Sequence, residues 1–449
     1  MALQKDLYNQ VRRYTRFRID YNNINLLALS QIYVFELSLK RLEGKGSLTK
    51  IKKYSLDNYV KSIVSLFYRN DKKNWKSRYL FVNDVFNNSM VENIRAVQSE
   101  FDVDFIELIS DKRLRKEKSK LLFKYFKPGT FLRQIIKTYT LIKQNSETIK
   151  EVCKEFEIKE HLLIFNIIDS MFILNCAESF LNAHRDITEI VSNTDVHKVS
   201  KAMVLLASKR EINTYVIQHG STVLEYGYLP VVCDYMFTWG KLSNNWFLDR
   251  GTKKEKLVTV GTPKMDALVN YTKQHSILRK VKNILLIMNP IGDKSVREFL
   301  KIVKGANLEM EYNLQIKLHP GSVDNIDIVH EIFDELGVQI YKRENTHRLI
   351  YDSDVVITTT STVGNEAIAF NKALIQIKIE NSATPMDYEA FDCSHLVENS
   401  GELKDLIEHL DKLESKKVNY KQFISDYFYA LDGMSANRIK KFITQENTT

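Results

Sequence analysis

The chain is poor in the residues and patterns that mark many specialised protein classes. Only four cysteines occur in 449 residues, Cys153, Cys176, Cys233 and Cys393. They stand far apart, with no CxxC and no adjacent histidine, which argues against a zinc site or a disulfide framework and fits a reducing cytoplasm. The N-terminus has no apolar signal core, and the most apolar helix candidate, HLLIFNIIDSMFILNCA, is broken by Asn166 and Asp169, so no membrane span is expected. No GxGxxG follows a strand pattern and no P-loop glycine-lysine motif occurs, which removes the common dinucleotide and nucleoside-triphosphate signatures. The DxD patterns at Asp102 to Asp104 and Asp352 to Asp354 fall inside and before strand patterns, where structural roles are expected and metal ligation is not. Internal repeats, low-complexity tracts and nucleic-acid motifs are absent, so nucleic acid is not an expected partner.

What is present is the balance of a soluble globular protein, 44% hydrophobic and 27% charged. A chain of this length exceeds one ordinary core, so two domains and a cleft between them are expected. The 65 Lys+Arg against 56 Asp+Glu give a formal charge of +9, which suits anionic ligands or an anionic membrane surface. Basic residues are dense in KDLYNQVRRYTRFR and in RLRKEKSKLLFKYFK, either of which could lie on a membrane or simply face water.

The fold class read from the pattern is α/β. Residues 1–70 alternate apolar and charged groups at helical spacing and read as a helical lead-in. Residues 71–272 then read as a Rossmann-like domain: RYLFVND and DVDFIELIS as strands, a helical insertion over about 111–183 interrupted at Pro128 and Gly129, then ITEIVSN, a helix, and TYVIQHG. Residues 273–425 repeat the alternation, with NILLIMNP, YNLQIKLHP, VQIYK, DVVITTT and ALIQIKI as strands of a second doubly wound domain, and 426–449 form a C-terminal helix and tail.

Three loops follow these strands. In QHGST, Gly220 permits a sharp turn after His219, Ser221 and Thr222 can cap the segment after the turn, and the imidazole can act as a general base at neutral pH. In KLHP, Pro320 ends the strand, so Lys317 and His319 approach the sheet edge on one face and could meet one phosphate; the bland alternative is a turn with two incidental polar residues. In TTTSTVGNEA, Thr360, Ser361 and Thr362 crowd a helix start whose free amides favour a phosphate, and Glu366 stands where it can accept hydrogen bonds from a ribose. A capping-box reading of the same loop needs a spacing that it lacks.

In this order QHGST, DYMFTWG, VGTPKMDAL, IKLHP and DSDVVITTTSTVGNEAI resemble the bacterial surface-polysaccharide glycosyltransferases of GT-B fold, over about Ile187 to Ile379. Nearest in pattern are the capsule Kdo transferases, the polysialyltransferases with an HP motif and the CDP-glycerol glycerophosphotransferases. The resemblance implies two Rossmann-like domains facing across a cleft, with the nucleotide donor held by the C-terminal one. It implies that Lys317 and His319 contact the donor phosphate, Ser361 and Thr362 bind it, Glu366 holds the ribose, and His219 faces the acceptor or leaving group. No metal or other cofactor is then expected, because two basic side chains and a helix dipole can stabilise the leaving nucleotide. Gln218 and Ser221 depart from the glycerophosphotransferases, which carry tryptophan and proline there. No acidic pair matches the catalytic base of the polysialyltransferases. Asp195, after ITEIVSN, is the second candidate for the base and equally an N-cap for the next helix.

The expected activity is transfer of a sugar or polyol phosphate from a CMP- or CDP-linked donor to a surface glycan or lipid-linked acceptor, in the cytoplasm or on the inner face of the plasma membrane. A UDP-sugar 2-epimerase or hydrolase of the same architecture is the alternative, and a non-catalytic basic scaffold a third reading.

Overall fold

The computed structural model describes residues 9–42, 76–84, 88–110, 114, 116, 119–222, 225–272, 280–288, 293–319, 325–333, 338–359, 361–379 and 388–445. The chain divides into two compact units, one drawn from 1–239, 243–264 and 435–449 and the other from 240–242 and 265–434.

In the first unit, helix α1 (Leu26–Leu42) follows a two-residue antiparallel pairing of Asp20–Tyr21 with Ile24–Asn25, so the lead-in is not wholly helical. Residues 43–70 of the lead-in lie outside the described residues. Seven strands follow: β1 (Tyr79–Asn83), β2 (Phe105–Ile109), β3 (Ser119–Leu121), β4 (Glu189–Ser192), β5 (Asn213–Ile217), β6 (Tyr235–Thr238) and β7 (Leu257–Thr259). All pair in parallel, in the order β3-β2-β1-β4-β5-β6-β7.

The central strands bury every residue because helices cover both faces, which is why they read as continuous apolar runs without alternation. Leu80, Val82, Ile190 and Val216 meet α1, α5 (Glu160–Ala183) and α6 (Lys198–Ala207) on one face. Phe81, Val191, Tyr215, Ile217 and Phe237 meet α2 (Asn88–Glu100) and the C-terminal helix Ser435–Thr444 on the other. Each phenylalanine buried there contributes about 2–3 kcal/mol. The last helix thus belongs to the first unit's core, through Ala436, Ile439 and Ile443.

The insertion differs from the expected helical stretch. It opens with β3 on the sheet edge, and Pro128 starts helix α3 (Pro128–Gln144) rather than breaking one. Proline suits a first turn, where its missing N–H would have had no helical acceptor. α4 (Ser146–Glu155) and the long α5 complete it. Among the described residues α5 is the one helix long and apolar enough to cross a membrane. Its apolar surface is instead covered on nearly all sides, as in the core helix of a globular domain.

The second unit holds β8 (Asn283–Ile287), β9 (Asn313–Lys317), β10 (Gln339–Tyr341), β11 (Val355–Thr358), β12 (Ala373–Ile377) and β13 (His395–Val397), parallel in the order β10-β9-β8-β11-β12-β13. α7 (Asp293–Gly305) places Val296, Phe299, Leu300 and Val303 on one stripe against this sheet, beside α8 (Ile326–Phe333). α9 (Thr346–Asp352), α10 (Gly364–Ala369), α11 (Ser400–Glu408) and α12 (Tyr420–Phe428) complete the unit. Both strand orders reverse beside the first strand of their sheet, between β1 and β4 and between β8 and β11. Open α/β sheets bind ligands outside the carboxyl ends of the strands at such points.

Candidate active site

At the carboxyl edge of the first sheet, Val82 pairs with Ser192, so Asn83 and Asn193 follow as neighbours across the reversal. His219 emerges two residues past β5, one strand further along. Its Nδ1 lies 3.2 Å from the Asn193 carbonyl oxygen. A carbonyl can only accept, so Nδ1 carries the proton and Nε2 presents its lone pair. Tyr228 stacks on the ring, with centroids 4.5 Å apart and 12° between the planes, and its hydroxyl donates to the Gly220 carbonyl at 2.6 Å. The ring is half-buried by surface area, yet protein surrounds it densely. Burial therefore pushes the His219 pKa down to about 4, helped by His197 and opposed by the Asn193 carbonyl. At neutral pH it is an uncharged, oriented base.

Gln218 shapes this turn. Its side chain accepts from Trp239 N–H at 2.9 Å and donates to the Gly220 carbonyl at 2.8 Å and to Ser243 Oγ at 3.0 Å. Its own carbonyl accepts from the Trp239 indole at 2.9 Å. Along this sheet edge, several buried polar atoms lack hydrogen-bond partners among the described residues: both side-chain atoms of Asn193, Asn83 Oδ1 and Asp84 Oδ1. Asn193 is 2% exposed, and an orphaned amide so deep costs about 1–3 kcal/mol unless something meets it.

Asp195 is not the N-cap of α6. That position is His197, without a side-chain bond, and Asp84 Oδ2 supplies the capping contact by accepting from Ser200 N–H at 3.0 Å. The fully buried Asp195 carboxylate instead accepts from the amides of Val232 (2.7 Å) and Cys233 (3.1 Å), tying the loop that carries Tyr228. Burial raises its pKa, against the pull of Lys201 and those amides. Lys201, also fully buried, is pushed down to about 8 by burial and donates to Gln31 Oε1 at 3.1 Å.

In the second unit, Lys317 ends β9 and is buried. Its ammonium donates to the carbonyls of Leu318 (3.0 Å) and Lys342 (2.9 Å), leaving one of three N–H groups for another acceptor. Burial lowers its pKa, opposed by Glu344. His319 is exposed; its pKa is lowered by partial burial and then by the charge of Lys317, so the two basic groups do lie near one another. Pro320 and Thr360 lie outside the described residues.

The loop before α10 departs from the expected row of free amides. Gly364, Asn365 and Glu366 donate their N–H groups to the carbonyls of Ser361, Thr362 and Val363, and Val363 N–H reaches Ser361 Oγ at 3.3 Å. A tight turn thus satisfies these donors internally. Thr362 is exposed, Ser361 is half-buried, and Glu366 sits buried in the first helical turn. Gly364 is required by packing, since a Cβ there would stand 2.5 and 2.6 Å from Tyr388 ring carbons. Among the described residues no group of three or more His, Cys, Asp or Glu could hold a metal ion.

No protein-family model matches the chain, and a search of curated proteins found no match. Solved structures do match. The UDP-GlcNAc 2-epimerase from Neisseria meningitidis bound to UDP-GlcNAc is 16% identical, covering 82% of this chain and 100% of its own, with a TM-score of 0.52. The S. aureus MnaA–UDP structure is 14% identical over 83% of this chain and 98% of its own, with a TM-score of 0.51. The wall teichoic acid polymerase TagF reaches only 0.49, at 12% identity over 89% of this chain and 98% of its own, too low to add to the comparison. The fold is GT-B. At such identities the likeness extends to the fold alone.

Proposed function

We propose that the chain is a glycosyltransferase that moves a sugar or polyol phosphate from a CMP- or CDP-linked donor to a cell-surface polysaccharide or glycolipid acceptor. The observation that carries this reading is His219: a neutral imidazole, held at Nδ1 by the Asn193 carbonyl, beside the orphaned amide of Asn193 at the switch edge of a parallel sheet. Acceptor hydroxyls are the chemistry that fills such a gap, because they donate and accept at once. In the proposed step the hydroxyl oxygen bonds to the donor carbon or phosphorus, the bond to the nucleotide phosphate breaks, and His219 Nε2 takes the hydroxyl proton. We assign the base to His219 and not to Asp195, whose carboxylate is already engaged by two amides. Gly220 and Ser221 form the turn beside it. Lys317, with its remaining N–H, would neutralise the leaving phosphate, His319 would donate a hydrogen bond to it, the Ser361 and Thr362 hydroxyls would bind it, and Glu366 would hold the ribose.

A second reading, UDP-sugar 2-epimerase or hydrolase, is favoured by the matched epimerases, which span nearly their whole length on this chain. One experiment separates the two. The purified protein is melted with CMP, CDP, UDP and GDP, then incubated with UDP-GlcNAc and no acceptor. Stabilisation by CMP or CDP and no acceptor-free turnover supports the transferase; acceptor-free conversion of UDP-GlcNAc overturns it. At a hundredfold excess over Kd the stabilisation is about 2.7 kcal/mol, readily seen as a melting shift.

A further inference from the structure

Helix α3 carries three large apolar side chains in water: Leu132, Ile136 and Tyr139 are 64%, 68% and 69% exposed. Spaced i, i+4 and i+7, they fall within about 60° of arc on a helix turning roughly 100° per residue. Lys143 closes the same stripe, and Arg133 and Lys137 run along one side of it. The helix contains no Asp or Glu. Its opposite face is anchored in the first unit, where Phe131 packs on Phe172 at 5.7 Å and Gln134 Oε1 accepts from Asn175 at 3.0 Å. The stripe is therefore held outward by a rigid scaffold. Scattered exposed apolar residues need no explanation, but a continuous line of them on an all-cationic helix marks an interaction site.

We propose that α3 docks the protein flat on an anionic lipid surface, with Leu132, Ile136 and Tyr139 entering the headgroup boundary and Arg133, Lys137 and Lys143 meeting lipid phosphates. Charge complementarity selects this occupant: an apolar wedge flanked by cations and free of carboxylates matches an anionic bilayer, and tyrosine favours the interface. The stripe shares no residue with the loops assigned to catalysis, so it stands or falls independently of the proposed reaction.

The test is flotation of the full-length protein with vesicles of phosphatidylcholine containing about one third phosphatidylglycerol, against phosphatidylcholine alone. The parent is expected to float with the anionic vesicles only, and less at high salt. A variant carrying Leu132→Ser, Ile136→Ser and Tyr139→Ser is expected to partition about tenfold or more weakly with an unchanged melting temperature. A second variant, Arg133→Gln, Lys137→Gln and Lys143→Gln, is expected to lose the salt-dependent part and decides the matter if the serine variant melts lower. Failure of the parent to float, or both variants floating like the parent, overturns the proposal. So does a serine variant that changes oligomeric state by light scattering while flotation is unchanged, which would assign the stripe to a second copy.

Discussion

Protonating His219 should be costly, and the cost sets a pH window for both stability and turnover. Its pKa is about 4 in the folded chain against an ordinary 6.5, because the charged ring would lose solvent and stand near His197. The folded state therefore binds fewer protons than the unfolded state between these values. Stability is fully present above about pH 6.5 and is lost as pH falls towards 4, by at most roughly 3 kcal/mol and less for a ring that keeps some solvent contact. In the proposed reaction the base stays deprotonated through the same window, so the acid limb of kcat/KM should fall near pH 4 and not near 6.5. Histidine C2-proton NMR, with the resonance assigned by its disappearance in His219→Gln, reads the pKa directly. Chemical denaturation of parent and variant at pH 7 and 4.5 reads the stability: the variant should lose less on acidification. A His219 resonance titrating at 6 or above, or equal acid sensitivity of parent and variant, would refute the reasoning. Turnover within a few-fold of the parent in His219→Ala would remove the base assignment alone.

Further outcomes rest on the same geometry. Asp195→Ala should leave the buried amides of Val232 and Cys233 without their acceptor, costing about 2–4 kcal/mol in thermal unfolding; unchanged melting with abolished turnover would instead make Asp195 the base. Lys317→Met should lower the melting temperature without any ligand, at about 1–3 kcal/mol, since two carbonyls lose their donor. The exposed His319→Ala should change stability by less than about 0.5 kcal/mol while shrinking the nucleotide-induced shift, and equal behaviour of the two variants would contradict this division of roles. Gly364→Ala should destabilise the second unit by about 1–3 kcal/mol, because the Tyr388 ring and Leu374, 3.0 Å away, must both move; unchanged melting would show that Tyr388 yields freely.

The strands that were legible in the sequence are the buried central ones. NTYVI, NILLI and VVIT are apolar runs bounded by polar turns, and a strand covered on both faces has no reason to alternate. The edge strands β3, β7 and β13 were not, since SKL, LVT and HLV offer no apolar run bounded by turns, whereas the equally short β10 lies within the recognisable VQIYK. Pro128 marks the interruption read from the sequence, and what was not legible is that a new helix starts there: proline ends a helix from inside but begins one from its first turn, and which applies depends on the residues before it.

The site divides along the same line between local and non-local information. That His219 stands at a sheet edge was legible, because it directly follows a strand. What makes it a neutral, oriented base was not, for the carbonyl of Asn193 lies 26 residues away and His197, which helps to lower its pKa, stands at the start of α6. Gln218 is the instructive case. As a departure from the tryptophan of the glycerophosphotransferases it counted against that relationship; in the structure its amide fastens both Gly220 and the Trp239 backbone, while the Trp239 indole returns to the Gln218 carbonyl. A tryptophan at 218 has a single N–H and no acceptor, so it could not close this turn in the same way. The residue that weakened the family resemblance is therefore the one that sets the backbone from which His219 projects, and a chain with tryptophan there must hold its histidine by other contacts.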